Sequence, residues 1–456
     1  MEKVLYKGKE YDHLPKEDYR FFEADPAKDM LLIALDGSVV FTTKAEIENP
    51  KKLIPDEIVL SADQQMAYDY IFDTPIEDKA LFFFLTGEAG TGKTTLVNYI
   101  KKRHECRLTA STGLASQHIG GTTIFRFLGI RPENVENNVP ASIDVVRKRL
   151  GSAKVVFLDE VSMVDTKLFK LIVEALVYYK IRVILVGDFF QLPPVSGAPC
   201  FTSVEWNMVR AVGLTKNHRQ DQASDLAKSL NYIRWGHVDE YMKALMLQNT
   251  VVKLPDDCVN IMPFRARVMA VNNKRLNALG TTISKHKYKV ITLADKMTES
   301  KVVGLINQSR IPAELELAIG ARVICLTNDG DNRWVNGSLG WVEAIHQHHI
   351  KVRMDRLGMC IDIPLVNHEI TDADGKILAV YTQFPVDLAW AMTIHKAQGT
   401  TLDKIGIDLS NHFAPGMTYV ALSRCKNAEG IKFVGTMKGV LTDQRVIDLY
   451  TRYAGK

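Results

Sequence analysis

The feature that most constrains this chain is the stretch GEAGTGKTT, Gly87 to Thr95, set between the apolar run ALFFFL (Ala80 to Leu85) and the helix-forming TTLVNYIKK. The spacing G-x-x-x-x-G-K-[ST] bends successive backbone N–H groups into a concave loop that fits phosphate oxygens. A buried strand delivers the chain into such a loop, and a helix starting at its far end turns its positive dipole end toward the phosphates. The chain is therefore expected to be an α/β protein built on a parallel sheet, with a nucleoside triphosphate at the carboxyl edge. Gly87, Glu88, Ala89, Gly90, Thr91, Gly92, Lys93, Thr94 and Thr95 would cradle ATP, with Lys93 on the β/γ-phosphates and the Thr94 hydroxyl on Mg²⁺. The loop leaves open whether the triphosphate serves a kinase, a switch or a motor.

Length and charge narrow the choice. A chain of 456 residues exceeds one ordinary core and suggests about two to four domains. A net charge of +4 is mild, so contact with nucleic acid has to be local rather than the work of a basic surface. The six cysteines are scattered without a C-x-x-C pair, which fits reduced thiols in a protein acting inside the cell, in cytoplasm or nucleoid. In HQHH, strand alternation puts His346 and His348 on one face and His349 on the other, against a shared metal. No apolar run reaches membrane length and the N-terminus is too charged for a signal peptide, so no membrane partner is expected.

Residues 1–55 read as a small appendage of unknown role, with a hairpin about Asp36-Gly37 and a linker-like end, ENPKKLIPDE. Residues 56–213 read as a first α/β domain, with strands at Leu81–Leu85, Arg107–Ala110, Val155–Leu158 and Val183–Val186. A second α/β domain is expected from 214–285 and 386–456, with strands at Val259–Met262, Ile405–Asp408 and Lys432–Val434. Between its halves, 286–385 alternates in short runs divided by Asp-Gly and Asn-Gly turns, as a small antiparallel β insertion would.

Further chemistry is expected at the ends of the first domain's strands. KVVFLDEVSM closes on Asp159, suited to Mg²⁺, and Glu160, suited to polarising water. IRVILVGDFFQLPPV brings Gln191 to the same edge, where a neutral amide can touch a γ-phosphate. Phosphoryl transfer to water also needs positive charge, and LTKNHRQ and GMTYVALSRC in the second half offer Arg219 and Arg424. LSADQ places Ser61 and Gln64 at capping-box spacing, and the Gln64 amide matches donor and acceptor positions of adenine.

Together LSADQ, GEAGTGKT, TASTGLAS, LDEVSM, GDFFQLPPV, LTKNHRQ, VNNKRL, TIHKAQGTTL and YVALSR resemble, in order, the motifs of superfamily-one DNA helicases of the RecD-like, Pif-type and Dda-type branch. The resemblance runs from Leu60 to about Gly435. It implies two RecA-like motor domains with ATP between them, a small β-barrel in the second, and 5′-to-3′ translocation on single-stranded DNA with unwinding of forked duplexes. It assigns phosphate and metal binding to Lys93, Thr94 and Asp159, water activation to Glu160, γ-phosphate sensing to Gln191, adenine recognition to Gln64, and completion of the site from the second domain to Arg219 and Arg424; Gly399 joins the nucleotide-binding set.

DNA contacts are implied at Thr109, Ser111, Thr112, Gly113, Thr122, Phe125, Asn272, His395, Lys396 and Gln398, and Trp334 is added to the expected DNA-binding set as a ring that could stack on a base. Hydroxyls and backbone N–H groups suit phosphates, and rings such as Phe125, Phe190, Trp334 and Trp390 are available for stacking. Phe125 stands where the family often has histidine, so a phosphate contact is not expected there. The short segment between DEVSM and GDFFQ, lacking a Pro-Phe-Gly-Gly stretch, points toward compact Dda-like enzymes and is compatible with a phage or mobile-element source. The expected protein is a monomeric, Mg²⁺-dependent ATPase. A nucleic-acid-binding switch and an RNA-directed motor keep the same motifs, whereas a small-molecule kinase has no use for the second half.

Overall fold

A computed structural model describes residues 2–6, 9–13, 29–34, 39–43, 58–88, 90–216, 224–287, 289–292, 311–312, 314–327, 329, 333–355, 358–371, 377–408, 413–435 and 439–454. The expected ATP-loop residue Ala89, the expected second-domain arginine Arg219, the Asp36-Gly37 turn and the linker 48–57 lie outside the described residues. The chain divides into two compact units, Met1–Leu60 and Ser61–Lys456.

In the first unit the strands Glu2–Tyr6, Lys9–His13, Asp29–Ala34 and Val39–Thr43 form an antiparallel sheet in chain order. Ile33 lies opposite Val39, the register of the expected hairpin.

The second unit starts with a six-stranded parallel sheet. Its order is Val209–Leu214, Leu81–Gly87, Arg182–Gly187, Val155–Asp159, Cys106–Ala110, Thr122–Thr123. Its central strands are continuous apolar runs because helices cover both faces, and Phe82, Phe83 and Phe84 are almost wholly buried. Pairing Thr86 with Gly187, and Ala110 with Asp159, brings the phosphate loop, the acidic corner and the Gln191 loop to one carboxyl edge. The edge strands Val209–Leu214 and Thr122–Thr123 were not anticipated; both are only partly buried and lack the apolar run that marks the others.

A second parallel sheet has the order Ala391–Thr393, Val259–Met262, Ile405–Asp408, Ile431–Val434. Two-, three- and five-stranded antiparallel sheets lie between Ser284 and Leu388, slightly wider than expected, around a core that includes Trp334, Phe384 and Trp390. The histidine reading needs correction: the turn after Ile345 breaks strand alternation, and His346 and His349 stack with ring centroids 4.4 Å apart.

One apolar core runs through both parallel sheets, from Phe84 and Phe169 to Ile405 and Phe433. The C-terminal helix Gln444–Ala454, assigned by sequence to the second domain, packs on the first sheet's residues. Tyr453 accepts a 2.9 Å hydrogen bond from Trp206 Nε1, and the Tyr450 ring lies 4.7 Å from Phe190. Among the described residues no helix is long and apolar enough to cross a membrane.

Candidate active site

The phosphate loop leaves the strand Leu81–Gly87 and enters the helix Lys93–Arg103. Lys93 folds its ammonium back over the loop, donating to the Gly87 and Glu88 carbonyls at 2.8 and 2.9 Å. Burial pulls the Lys93 pKa below its ordinary value against the opposing charges of Asp188, Glu160 and Asp159. Thr91 is fully buried and donates to the Glu88 carbonyl at 3.0 Å, whereas Thr94 and Thr95 are exposed on the first helical turn. Gln64 links the preceding helix to this loop. Its Nε2 donates to the Gly92 carbonyl at 3.2 Å while its Oε1 accepts from the Ser61 backbone at 3.0 Å.

Asp159 and Glu160 end the strand Val155–Asp159. Glu160 takes a left-handed backbone, φ 52° and ψ 47°, which costs a residue with a Cβ about 1–2 kcal/mol. Burial raises the Asp159 pKa, partly offset by the Glu160 N–H and by Lys93. Burial and then the Asp159 charge raise that of Glu160, while Lys93, Arg424 and Gln398 favour its ionised form. A buried carboxylate with its pKa raised toward neutrality suits a water-activating base.

The second sheet closes this corner. The strand Ala391–Thr393 leads into the helix Ile394–Ala397, after which Gln398 Nε2 donates to Glu160 Oε2 at 2.8 Å and to Gln191 Oε1 at 3.2 Å. Gly399, at φ +79°, makes the turn that follows. Arg424 is 2% exposed; its guanidinium donates to the Val420 carbonyl at 2.8 Å, Ser423 Oγ at 2.7 Å and the Thr400 carbonyl at 3.4 Å. Its charge, from the second half of the chain, favours the ionised Glu160 carboxylate. Gly416, at φ +77°, sits where an added Cβ would lie 2.5 Å from the Gln191 carbonyl, so the turn before the helix Met417–Leu422 abuts the Gln191 loop directly.

Sequence reasoning missed Arg234. At the end of the helix Asp225–Arg234 it donates to Asp188 Oδ1 at 3.0 Å, comes within 3.7 Å of Glu88 Oε1, and lies over the Phe190 ring at 4.3 Å. Asp188 is fully buried and also accepts from Tyr450 Oη at 3.2 Å; Tyr450 Oη shares a 2.6 Å hydrogen bond with Thr86. The available signal was periodicity: Leu226, Leu230 and Ile233 face the core, and Arg234 falls on that stripe four positions after Leu230.

The expected DNA contacts separate into two groups. Ser111 donates its hydroxyl to the Glu160 carbonyl at 2.9 Å, Thr112 Oγ1 caps Ala115 at 3.2 Å, and Gly113 opens the helix Gly113–His118. Phe125 is half-buried against the core and His395 half-buried, its pKa lowered by burial. Lys396 is paired with Asp387.

Other assignments are corrected. Thr109 is fully buried and donates to the Phe157 carbonyl at 2.5 Å; Thr122 Oγ1 is buried without a hydrogen-bond partner among the described residues. Asn272 braces the strand Ala391–Thr393, accepting from Ala391 N at 2.8 Å and donating to its carbonyl at 3.1 Å, so its amide faces inward. Trp334, Phe190 and Trp390 are buried in core, which removes their rings from base stacking. Gln398 is buried against Glu160 and Gln191 and does not point outward to a strand.

The PIF1-like helicase family model matches residues 59–240. The ATP-dependent DNA helicase Pif1 of Bdellovibrio bacteriovorus is 32% identical over 424 residues, 88% of this chain and 93% of that protein. Human ATP-dependent DNA helicase PIF1 is 30% identical over 405 residues, 82% of this chain and 61% of that longer protein. Among solved structures, Bacteroides sp Pif1 in complex with ADP-AlF4 has a TM-score of 0.71 at 29% identity, covering 87% of this chain and 97% of that chain. Pif1 helicase from Bacteroides in complex with ADP-AlF3 and ssDNA has a TM-score of 0.60 at 29% identity, covering 87% and 98%. Of the three enzyme types named from the motifs, these matches favour the Pif-type over the Dda-like kinship suggested by segment length.

Proposed function

The chain belongs to the PIF1-like helicase family, and from that premise we propose how its two parallel-sheet domains turn ATP hydrolysis into movement on DNA. It is an ATP-dependent DNA helicase. Lys93 binds the β/γ-phosphates, Glu160 orients and deprotonates the attacking water, Gln191 senses the γ-phosphate, and Arg424, with Arg219, supplies positive charge from the second domain. The hard oxygens of Thr94 and Asp159 fit Mg²⁺, which would neutralise phosphate charge there. Gln64, tied to the loop through Gly92, positions adenine.

One observation carries the coupling. Glu160 is bonded by both segments that resemblance places against DNA, through its carbonyl to Ser111 and through its carboxylate to Gln398. Single-stranded DNA gripping either segment shifts the base that fires the ATPase. Hydrolysis, in turn, removes the γ-phosphate that holds both domains to one ligand and releases one grip at a time. On this reading the enzyme is an intracellular monomer that steps 5′ to 3′ and opens forked duplexes, with the antiparallel sheets as the barrel of the second motor domain.

Strand displacement on forks carrying only a 5′ or only a 3′ tail tests this. The 5′-tailed fork should open with ATP and the 3′-tailed fork should not; the reverse preference sinks the polarity. Lys93→Ala should abolish hydrolysis while retaining strand binding, and DNA-stimulated turnover by that variant would count against the site.

A further inference from the structure

The carboxyl edge of the second parallel sheet carries an aromatic pair that the ATPase corner does not use. Phe264, just after the strand Val259–Met262, stacks on Phe413, which follows the strand Ile405–Asp408. Their centroids are 5.0 Å apart and their planes 13° apart, yet the rings remain 41% and 57% exposed. Arg265 and Arg267 are exposed beside them, and the Arg267 guanidinium lies 5.7 Å from the Phe264 centroid.

Location narrows the occupant. Met262 pairs with Thr393, so Phe264 and the His395–Gln398 segment leave neighbouring strands at the same sheet edge, strands spaced by about 4.8 Å. Two parallel rings rimmed by guanidinium groups suit a ligand that alternates flat π surfaces with anionic links. An apolar protein segment would leave those cations without partners, whereas a nucleic-acid strand offers bases to the rings and phosphates to the arginines.

We propose that Phe264 and Phe413 form a base-stacking platform for single-stranded DNA on the second motor domain. The proposal rests on the helicase reading and adds to it a contact made to bases. Stacking tolerates any sequence, as a translocating enzyme requires, because every base presents a π face. The platform would hold a base while the first domain's Ser111 segment changes its grip.

The test uses the full chain and two equal-length fluorescent oligomers, oligo-dT and its abasic counterpart, in equilibrium anisotropy titrations. Phe264→Ala and Phe413→Ala should each weaken oligo-dT binding on the order of 10-fold, leave abasic binding unchanged, and retain DNA-independent ATP hydrolysis as evidence of intact folding. Phe264→Trp should restore oligo-dT affinity. An unchanged oligo-dT affinity, or an equal loss on both oligomers, overturns the platform alone. Failure of the unsubstituted chain to bind either oligomer overturns the helicase reading and the platform together. Should the alanine variants lose basal hydrolysis, quenching of 2-aminopurine placed along an oligomer bound to the unsubstituted chain decides: quenching supports stacking, and its absence at every position overturns it.

Discussion

Gln398 Nε2 donates to Glu160 Oε2 at 2.8 Å, joining an amide from the second parallel-sheet domain to a carboxylate of the first. The same nitrogen reaches Gln191 Oε1 at 3.2 Å, so one amide group touches both the proposed water-activating base and the proposed phosphate sensor. Any rotation of the domains that separates Gln398 from Glu160 therefore changes the acidity of the Glu160 carboxyl as well as its surroundings.

That relationship sets a pH dependence. With Glu160 as the proposed base, active when ionised, hydrolysis should rise with pH through its raised pKa, and the Gln398 hydrogen bond favours the ionised form. In Gln398→Leu the donor is lost, the pKa rises further and the acid limb moves to higher pH. Steady-state ATPase near pH 6 should fall about 10-fold more than near pH 8. An unshifted acid limb would show that the contact does not tune the base.

Arg234 predicts a stability effect. Replacing it with Met leaves the fully buried Asp188 carboxylate without its cation, a change that costs about 3–5 kcal/mol. Chemical denaturation should show that loss for Arg234→Met and a smaller one for Arg234→Lys, which keeps charge but not the fork. Adding Asp188→Asn to Arg234→Met should recover part of it, since the stranded charge is gone; full additivity of the two losses would refute the pairing.

Gly416→Ala tests the seam itself. Its positive φ and the 2.5 Å approach of a Cβ to the Gln191 carbonyl force the Gln191 loop to move. With Gln191 as the proposed phosphate sensor, turnover should drop about 10-fold or more, with stability falling by about 1–3 kcal/mol. Normal turnover in a folded variant would mean that the loop adjusts without consequence.

For Asn272→Ala the expected loss is structural. Three hydrogen bonds to the strand Ala391–Thr393 and its approach disappear, costing about 1–3 kcal/mol in denaturation experiments. Oligo-dT affinity and its salt slope should stay unchanged at temperatures where the variant is folded. A reduced slope would restore a direct phosphate contact.

How much of this was legible depends on what kind of signal a residue leaves. The central strands announced themselves because a strand covered on both faces must be apolar throughout, and Val259–Met262 and Ile405–Asp408 were bounded correctly. The phosphate loop and the acidic corner were legible because their chemistry dictates spacing. Asn272 was misread because a motif position says nothing about whether a side chain turns inward, and Trp334 because an aromatic residue type does not tell a stacking ring from a core ring; both side chains turn inward. Arg234 was invisible to motif reading: its partner Asp188 is distant in sequence and its role depends on how one domain lies against the other. The edge strand Val209–Leu214 escaped because partial exposure mixes its residue types.

The helix Gln444–Ala454 has a consequence for how the molecule is born. Tyr450 and Tyr453 fit among Phe84, Phe190 and Trp206, so a domain whose sheet is complete by Leu214 still lacks part of its interior. During synthesis, when earlier segments ordinarily mature before later ones, this one must wait with that aromatic surface uncovered until Gln444–Ala454 has left the ribosome.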